Sequence, residues 1–142
     1  MKKLVFICHG NTFRSPIAEA VFNKDPKDGW RAYSCGTLIK EENIEGESIL
    51  DVWPGEIFIV NEMKKRGMDI SLKHTARLYP EYLEDADKVI IMSEEDLTPD
   101  WLLDRAYERW DILNPENPND DLIIDIINKI TEKVNELKTR LK

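Results

Sequence analysis

The chain has 142 residues, 42% of them hydrophobic and 34% charged, which is typical of one compact domain and excludes a globally disordered protein. Its formal net charge of −8 excludes nucleic acid and membranes as partners, although a local site can still attract a small anion. The two cysteines lack metal-ligand spacing, so no metal is expected, and the N-terminal apolar run is too short for a secretory signal. These features predict a protein of the reducing cytoplasm.

The first element predicted is a strand. Residues Leu4 to Ile7 form a short, wholly apolar run, which is typical of a strand buried on both faces. A loop of polar and small residues follows from Cys8 to Arg14. Ser15 and Pro16 then indicate a helix start, with the serine as N-cap and the proline in the first helical position.

The rest of the chain continues this alternation of strands and helices. In chain order we predict a strand from Trp30 to Cys35, an acidic loop from Leu38 to Pro54, a helix from Ile57 to Lys65 closed by Gly67, a short helix from Tyr79 to Leu83, a strand from Lys88 to Met92, a short helix capped by Ser93 to Glu95, a strand from Arg109 to Leu113, and a last helix with an apolar stripe from Ile123 to Leu141. The pattern predicts an α/β fold whose parallel sheet is covered by helices on both faces. Ligands of such folds bind beyond the carboxyl ends of the strands, where the Cys8 loop begins.

The loop from Cys8 to Arg14 has the residue types of an anion site. Gly10 is expected to allow backbone torsions closed to other residues, and Asn11 to accept left-handed torsions and brace the loop with its amide. Arg14 offers a planar fork that matches a tetrahedral oxyanion. Its charge and the loop amides should favour a thiolate at Cys8, to which Ser15 can donate a hydrogen bond. Such a thiolate is placed for in-line attack on phosphorus.

The alternative for the same residues is an inert buried cysteine at a strand end, with Arg14 on the surface. A cysteine six positions before an arginine is weak support for a site by itself. The preceding strand, the internal Gly10 and the Ser15-Pro16 helix start are three independent features, and together they favour the functional interpretation.

The segment from Val5 to Phe22 resembles the signature of low-molecular-weight protein tyrosine phosphatases, whose superfamily includes the thioredoxin-coupled arsenate reductases. Four further segments resemble later parts of that family: Ser34 to Thr37, Met63 to Ser71, Val89 to Met92 and Trp110 to Pro115. The resemblance implies one phosphatase-like domain over residues 1–142, built on a four-stranded parallel sheet.

The resemblance also implies a two-step reaction. Cys8 would accept the phosphoryl group as a phosphocysteine, while an aspartic acid would protonate the leaving oxygen and then activate water. The oxygens of the substrate would be held by Arg14, Ser15, Asn114 and the loop residues His9, Gly10, Asn11, Thr12 and Phe13. The implied ligands are a phosphorylated protein, a small phosphoester, phosphate or a similar oxyanion. No metal or organic cofactor is implied.

One departure from the family concerns the acid. The family has an aspartate directly before a proline in the late loop, whereas this chain has Asn114 before Pro115. An amide is not a proton donor of that kind, and general acid–base catalysis contributes about 10²–10⁴-fold. Among the nearby carboxylates, Asp111 is our predicted substitute, with an ordinary strand-end carboxylate as the alternative. Glu116 and Asp120 also remain open.

Further departures concern thiols and imidazoles. Phe13 occupies the position of the family's second loop cysteine, so no disulfide can form within the loop. The region from Ser93 to Arg105 contains none of the cysteines that the thioredoxin-coupled arsenate reductases need. Cys35 is expected to be a small buried residue. His9 is expected at the entrance of the site, and His74 in a structural or exposed position.

Three functions fit these observations. The first is a phosphatase acting on phosphotyrosine or small phosphoesters. The second is an arsenate reductase that takes its resolving thiol from a small molecule or from glutaredoxin. The third is a phospho-ligand binder with little turnover, which Asn114 suggests.

Overall fold

Strands and helices alternate along the chain as predicted. A computed structural model describes residues 1–37, 57–115 and 119–142. Its elements are β1 (Lys2–Cys8), α1 (Arg14–Lys24), β2 (Trp30–Gly36), α2 (Ile57–Lys65), a first 3₁₀ helix (Pro80–Leu83), β3 (Lys88–Ile91), a second 3₁₀ helix (Glu95–Leu97), α3 (Asp100–Leu103), β4 (Glu108–Arg109) and α4 (Asp120–Arg140). The predicted loop from Leu38 to Pro54 and the candidate Glu116 lie outside the described residues.

The four strands form one parallel sheet in the order β2-β1-β3-β4. Cys8 at the end of β1 is opposite Gly36 of β2, and Ile7 is opposite Ile91 of β3. The predicted α/β fold with a four-stranded parallel sheet is therefore confirmed. Because β1 is central, the loop after it begins in the middle of the carboxyl edge, with strand ends on both sides.

Apolar side chains fill both faces of the sheet. On one face Leu4 and Phe6 pack in a cluster with side chains of α1, α2 and α4. On the other face Val5 and Ile7 pack with residues of shorter segments, among them Leu83 and Leu102. Each large apolar side chain that is fully buried contributes about 1.5–3 kcal/mol to stability. The predicted helices on both faces are present, and among the described residues the longer ones cover one face.

The last helix, α4, packs on the face of the sheet that the longer helices cover. Asn119 caps α4 by accepting a hydrogen bond from the Leu122 amide at 2.8 Å. Along its buried side are Ile123, Ile126, Ile127, Ile130, Val134 and Leu137. The predicted apolar stripe is therefore confirmed. None of the helices in the described part of the chain is both long and apolar enough to span a membrane.

Some predicted boundaries were wrong. Helix α1 begins at Arg14, so Ser15 is inside its first turn and is not the N-cap. The last strand is only two residues long instead of running from Arg109 to Leu113. The spacing of Ile57, Val60 and Met63 predicts one apolar face for α2, but Ile57 is half exposed as the first residue of that helix. Gly67 does end the segment after α2, at φ +85°, as expected of a C-terminal glycine.

The short helix after β3 was also capped differently than expected. Its N-cap is Glu94, which makes no side-chain capping bond. The Ser93 hydroxyl is 2.8 Å from the Thr98 hydroxyl instead of at a helix end. This serine therefore supports the loop after β3 from within the core.

Candidate active site

The residues singled out in the Cys8 loop form one pocket. A cavity of about 140 Å³ is lined by Cys8, His9, Gly10, Thr12, Phe13, Arg14 and Asn114. It lies at the carboxyl end of β1, where Cys8 is the last strand residue. The fold therefore brings together most of the predicted site residues at the predicted edge of the sheet.

The sulfur of Cys8 has two polar neighbours within the protein. The Asn11 amide donates to Sγ at 3.3 Å, and the Ser15 hydroxyl is 2.9 Å from it. Because the Asn11 side-chain amide donates to the Ser15 oxygen at 2.9 Å, the serine hydrogen is left to donate to the sulfur. Both contacts therefore point a hydrogen at the sulfur. The expected hydrogen bond from Ser15 is consistent with this geometry, and the same bonding explains why Ser15 does not cap α1.

Asn11 holds the loop in shape. It is the only residue other than glycine with a positive φ in the described segments, at +54°, and its side chain is fully buried. Its Nδ2 donates to Ser15 and, at 3.0 Å, to Ser34, while its Oδ1 accepts from the Ala76 amide at 2.8 Å. The geometry shows what was expected of Asn11: its backbone is left-handed, and its side-chain amide braces the loop.

Gly10 was expected to adopt a backbone conformation closed to other residues, and this expectation was wrong. The left-handed residue of the loop is Asn11, and Gly10 is not in that region. A Cβ on Gly10 would meet only the Thr12 hydroxyl, at an ordinary 3.8 Å. Since Gly10 lines the pocket, the missing side chain leaves room for a ligand rather than relieving strain.

Gly36 is a requirement that sequence reasoning missed. A Cβ there would lie 2.8 Å from the His9 carbonyl and 2.9 Å from the Asn11 amide. The Thr37 amide also donates to the Cys8 carbonyl at 3.0 Å, so β2 and the loop are in direct backbone contact. The resemblance of Ser34 to Thr37 to the family was the available clue.

A chain of polar contacts continues outward from Asn11. Ser34 donates to Oε1 of Glu19 at 3.0 Å, and Lys73 lies 3.1 Å from the same oxygen. The contacts thus run from an ion pair near the surface to the sulfur of Cys8. Glu19 and Lys73 are far apart in sequence, and no local pattern pairs them.

Arg14 is held from the β3–β4 side of the sheet. It is 2% exposed, so the alternative of a surface arginine is wrong. Its Nη1 donates to the Met92 carbonyl, to Oε1 of Glu94 at 3.0 Å and to the Ile112 carbonyl at 3.1 Å. These acceptors fix one end of the guanidinium at the base of the pocket.

Glu94 is the partner of Arg14 that sequence reasoning missed. Partial burial opposes its ionisation, but its own backbone amide, the guanidinium of Arg14 and the nearby His9 outweigh this and lower the pKa of the carboxyl. The Glu94 carbonyl accepts from the Thr98 hydroxyl at 2.7 Å, which braces this turn. Its position directly beyond β3, where ligands of parallel sheets bind, was the clue available.

The late loop brings Asn114 but not Asp111 to the pocket. Asn114 is exposed and lines the same cavity as Cys8 and Arg14, so the residue predicted to occupy the position of the family acid does lie in the pocket. Asp111 is exposed and is not among the lining residues, and its carbonyl accepts from Lys129 at 3.2 Å. The role predicted for Asp111 therefore stays a prediction, and Glu116 lies outside the described residues.

A cysteine, a buried arginine and a pocket thus lie together at the carboxyl edge of a parallel sheet, where ligands of such folds bind. The chain matches the family model of the low molecular weight phosphotyrosine protein phosphatases over residues 3–142, and it belongs to that family. Arsenate reductases are relatives within the same superfamily.

Two relatives and one solved structure illustrate the match. The rat low molecular weight phosphotyrosine protein phosphatase is 35% identical over 102 residues, which are 68% of this chain but only 58% of that protein. A glutaredoxin arsenate reductase of Synechocystis is 27% identical over 144 residues, 99% of both chains. The low molecular weight protein tyrosine phosphatase of T. tengcongensis has the same fold, with a TM-score of 0.76 and 23% identity over 99% of this chain and 100% of that one.

The Gly36 contact leads to the first prediction. Gly36→Ala should displace the loop backbone, lower stability by about 1–3 kcal/mol and weaken phosphate binding, because the new Cβ meets backbone atoms that cannot turn aside. Gly10→Ala is the matched control, since it has room and should keep the stability of the natural protein. Thermal unfolding and phosphate titration measure both effects, and equal stabilities of the two variants would contradict the prediction.

Proposed function

We propose that this protein hydrolyses phosphomonoesters, phosphotyrosine among them, through a phosphocysteine on Cys8. The observation that carries the proposal is the sulfur of Cys8, which receives hydrogen bonds from Ser15 and Asn11 inside the pocket that contains Arg14. Family membership supports the same chemistry. The substrates are phosphorylated proteins or small phosphoesters, met in a reducing cytoplasm that keeps the thiol free.

In the first step Sγ of Cys8 attacks phosphorus and the bond from phosphorus to the ester oxygen breaks. In the second step water attacks the phosphocysteine, the sulfur–phosphorus bond breaks and phosphate leaves. Arg14 binds the equatorial oxygens with the guanidinium nitrogens that its contacts to Met92, Glu94 and Ile112 leave available, since those contacts all involve Nη1.

The N-terminus of α1 adds to this binding. Its first turn contains no acidic residue and its N-cap Phe13 makes no side-chain capping bond, so the positive end of the helix is left for an anion. The loop residues His9, Gly10 and Thr12 surround the same cavity. Asn114 contacts the bound ester from the open side.

The reaction requires Cys8. Cys8→Ser should remove hydrolysis of p-nitrophenyl phosphate, because a serine hydroxyl is not ionised at neutral pH. Cys35→Ala is the matched control: Cys35 is fully buried among residues of the opposite sheet face and should be dispensable. Steady-state rates with and without vanadate test the prediction, and full activity in Cys8→Ser would overturn the proposed function.

Asn114 makes the rate depend on the leaving group. Asn114→Asp should raise the rate most for poor leaving groups such as phenyl phosphate. The gain should reach about 10²–10⁴-fold, the usual contribution of general acid–base catalysis, where no other residue donates the proton, and should be small where one does. Rates across a series of aryl phosphates measure this dependence. A variant that gains nothing would show that another residue, Asp111 or Glu116 among the predicted ones, already donates the proton. Tight phosphopeptide binding without hydrolysis in the natural protein would instead favour the third function, a phospho-ligand binder with little turnover.

Arsenate reduction with an external thiol is a second candidate. It is favoured by the glutaredoxin arsenate reductase, which aligns along 99% of both chains. Since Ser93 to Arg105 contains no cysteine, the second thiol would come from glutathione or glutaredoxin. Arsenate-dependent oxidation of NADPH, coupled through glutathione reductase, should be seen with glutathione and glutaredoxin present. No turnover with any common thiol reductant would rule this candidate out.

A further inference from the structure

The pocket has one side chain suited to move a proton at neutral pH. Of the described residues that line it, Cys8, His9 and Arg14 are ionisable. Arg14 stays protonated under all ordinary conditions, and Cys8 is the nucleophile of the proposed function. Imidazole is the side chain that both donates and accepts a proton between pH 5 and 8. That leaves His9.

We infer that His9 is the general acid and base of this enzyme, in place of the aspartate that Asn114 has replaced. The inference rests on the proposed function and adds a catalytic residue to it. His9 directly follows the nucleophile, is half buried, and lies in the wall of the same 140 Å³ cavity as Asn114. A leaving group bound in that cavity is therefore beside the imidazole.

Charged groups lie close to His9. Cys8 and Arg14 line the same cavity, and Glu94 is near enough for the charge of His9 to contribute to lowering the pKa of the Glu94 carboxyl. Arg14 and Glu94 are paired at 3.0 Å, so the guanidinium charge that would repel an imidazolium is partly compensated. Glu94 stays ionised beside Arg14 and His9, and its carboxylate attracts the imidazolium in turn.

The proton balance closes over the two steps. While Sγ of Cys8 attacks phosphorus, the imidazolium of His9 gives its proton to the departing ester oxygen, and an alcohol or phenol leaves. Neutral His9 then accepts a proton from water as the water oxygen attacks the phosphocysteine. The sulfur–phosphorus bond breaks, and phosphate, the Cys8 thiolate and the imidazolium are formed.

Asp111 is the competing donor. It is exposed and does not line the cavity, so its carboxyl would first have to move to the leaving group. His9 already lines the cavity. The two residues can be separated by substitution, since each has an amide counterpart that cannot act as an acid: His9→Gln and Asp111→Asn.

The decisive experiment compares good and poor leaving groups. His9→Gln should lower kcat/KM on phenyl phosphate by about 10²-fold or more, while kcat/KM on 2,4-dinitrophenyl phosphate, whose leaving group needs no proton, should be little affected, because kcat/KM does not include the later attack of water. His74→Gln is the matched control, because His74 is exposed and does not line the pocket. Vanadate binding and thermal unfolding of His9→Gln should match the natural protein, which separates lost catalysis from a damaged site.

The pH dependence of activity separates a catalytic role of His9 from a structural one, because losing a structural contact would not change its shape. On phenyl phosphate the natural protein should lose kcat/KM on the alkaline side as an imidazolium loses its proton, and His9→Gln should lack this limb. In His9→Gln, adding Asn114→Asp should restore more activity than it adds to the natural protein.

Three results would overturn the inference. One is a His9→Gln variant with an unchanged leaving-group dependence and alkaline limb. Another is a steeper leaving-group dependence in Asp111→Asn while His9→Gln behaves like the natural protein. The third is different in kind: if the natural protein does not hydrolyse even 2,4-dinitrophenyl phosphate, the proposed function itself fails. Activity that requires Cys8 but not His9 overturns only the role of His9.

Discussion

The buried amide of Asn11 is the interaction on which the geometry of the site depends. Its hydrogen bonds reach Ser15 in α1, Ser34 in β2 and the amide of Ala76, so a single side chain ties the loop to three other segments. A left-handed residue other than glycine costs free energy unless its surroundings compensate. Here the side-chain bonds stabilise that conformation, and the same turn brings the Asn11 amide to the sulfur of Cys8.

A protein of net charge −8 binds an anion only if positive potential is concentrated locally. Arg14 supplies it from a buried position at the N-terminus of α1, and the helix adds its positive end. Burying an arginine is costly unless its donors are satisfied. The carbonyls of Met92 and Ile112 and the carboxylate of Glu94 satisfy Nη1 and hold the guanidinium without covering the whole of it. The orientation of Arg14 therefore depends on segments that follow β3 and β4.

What could be predicted from the sequence was local. The apolar runs of β1 and β3 and the spacing along α4 are contained in short segments, and these three elements were predicted correctly in outline. One helix boundary failed because a single side chain was expected to do two things: Ser15 was to cap α1 and to donate to the sulfur of Cys8, and it bonds Cys8 and Asn11 from inside the first turn. A local rule has no access to such competition.

The residues that were missed are those that approach the loop from distant parts of the chain. Gly36 is required because its Cα lies against the backbone of residues 9–11, and Glu94 because it lies beside Arg14. Neither residue has an unusual sequence environment. Their importance comes from the parallel register, which brings the ends of β2 and β3 to either side of β1.

The position of the second cysteine limits what chemistry the chain can complete alone. Cys35 is next to Ile7 in register, so its side chain is on the sheet face opposite that of Cys8, in the cluster with Val5 and Ile7. Burial raises the pKa of the Cys35 thiol, which makes it a poor nucleophile where it lies. Phe13, buried in the wall of the pocket, offers no second thiol within the loop. Hydrolysis needs only water to release Cys8, whereas reduction needs a second thiol. A chain whose remaining thiol is enclosed in the core can complete the first reaction unaided but must recruit an external partner for the second.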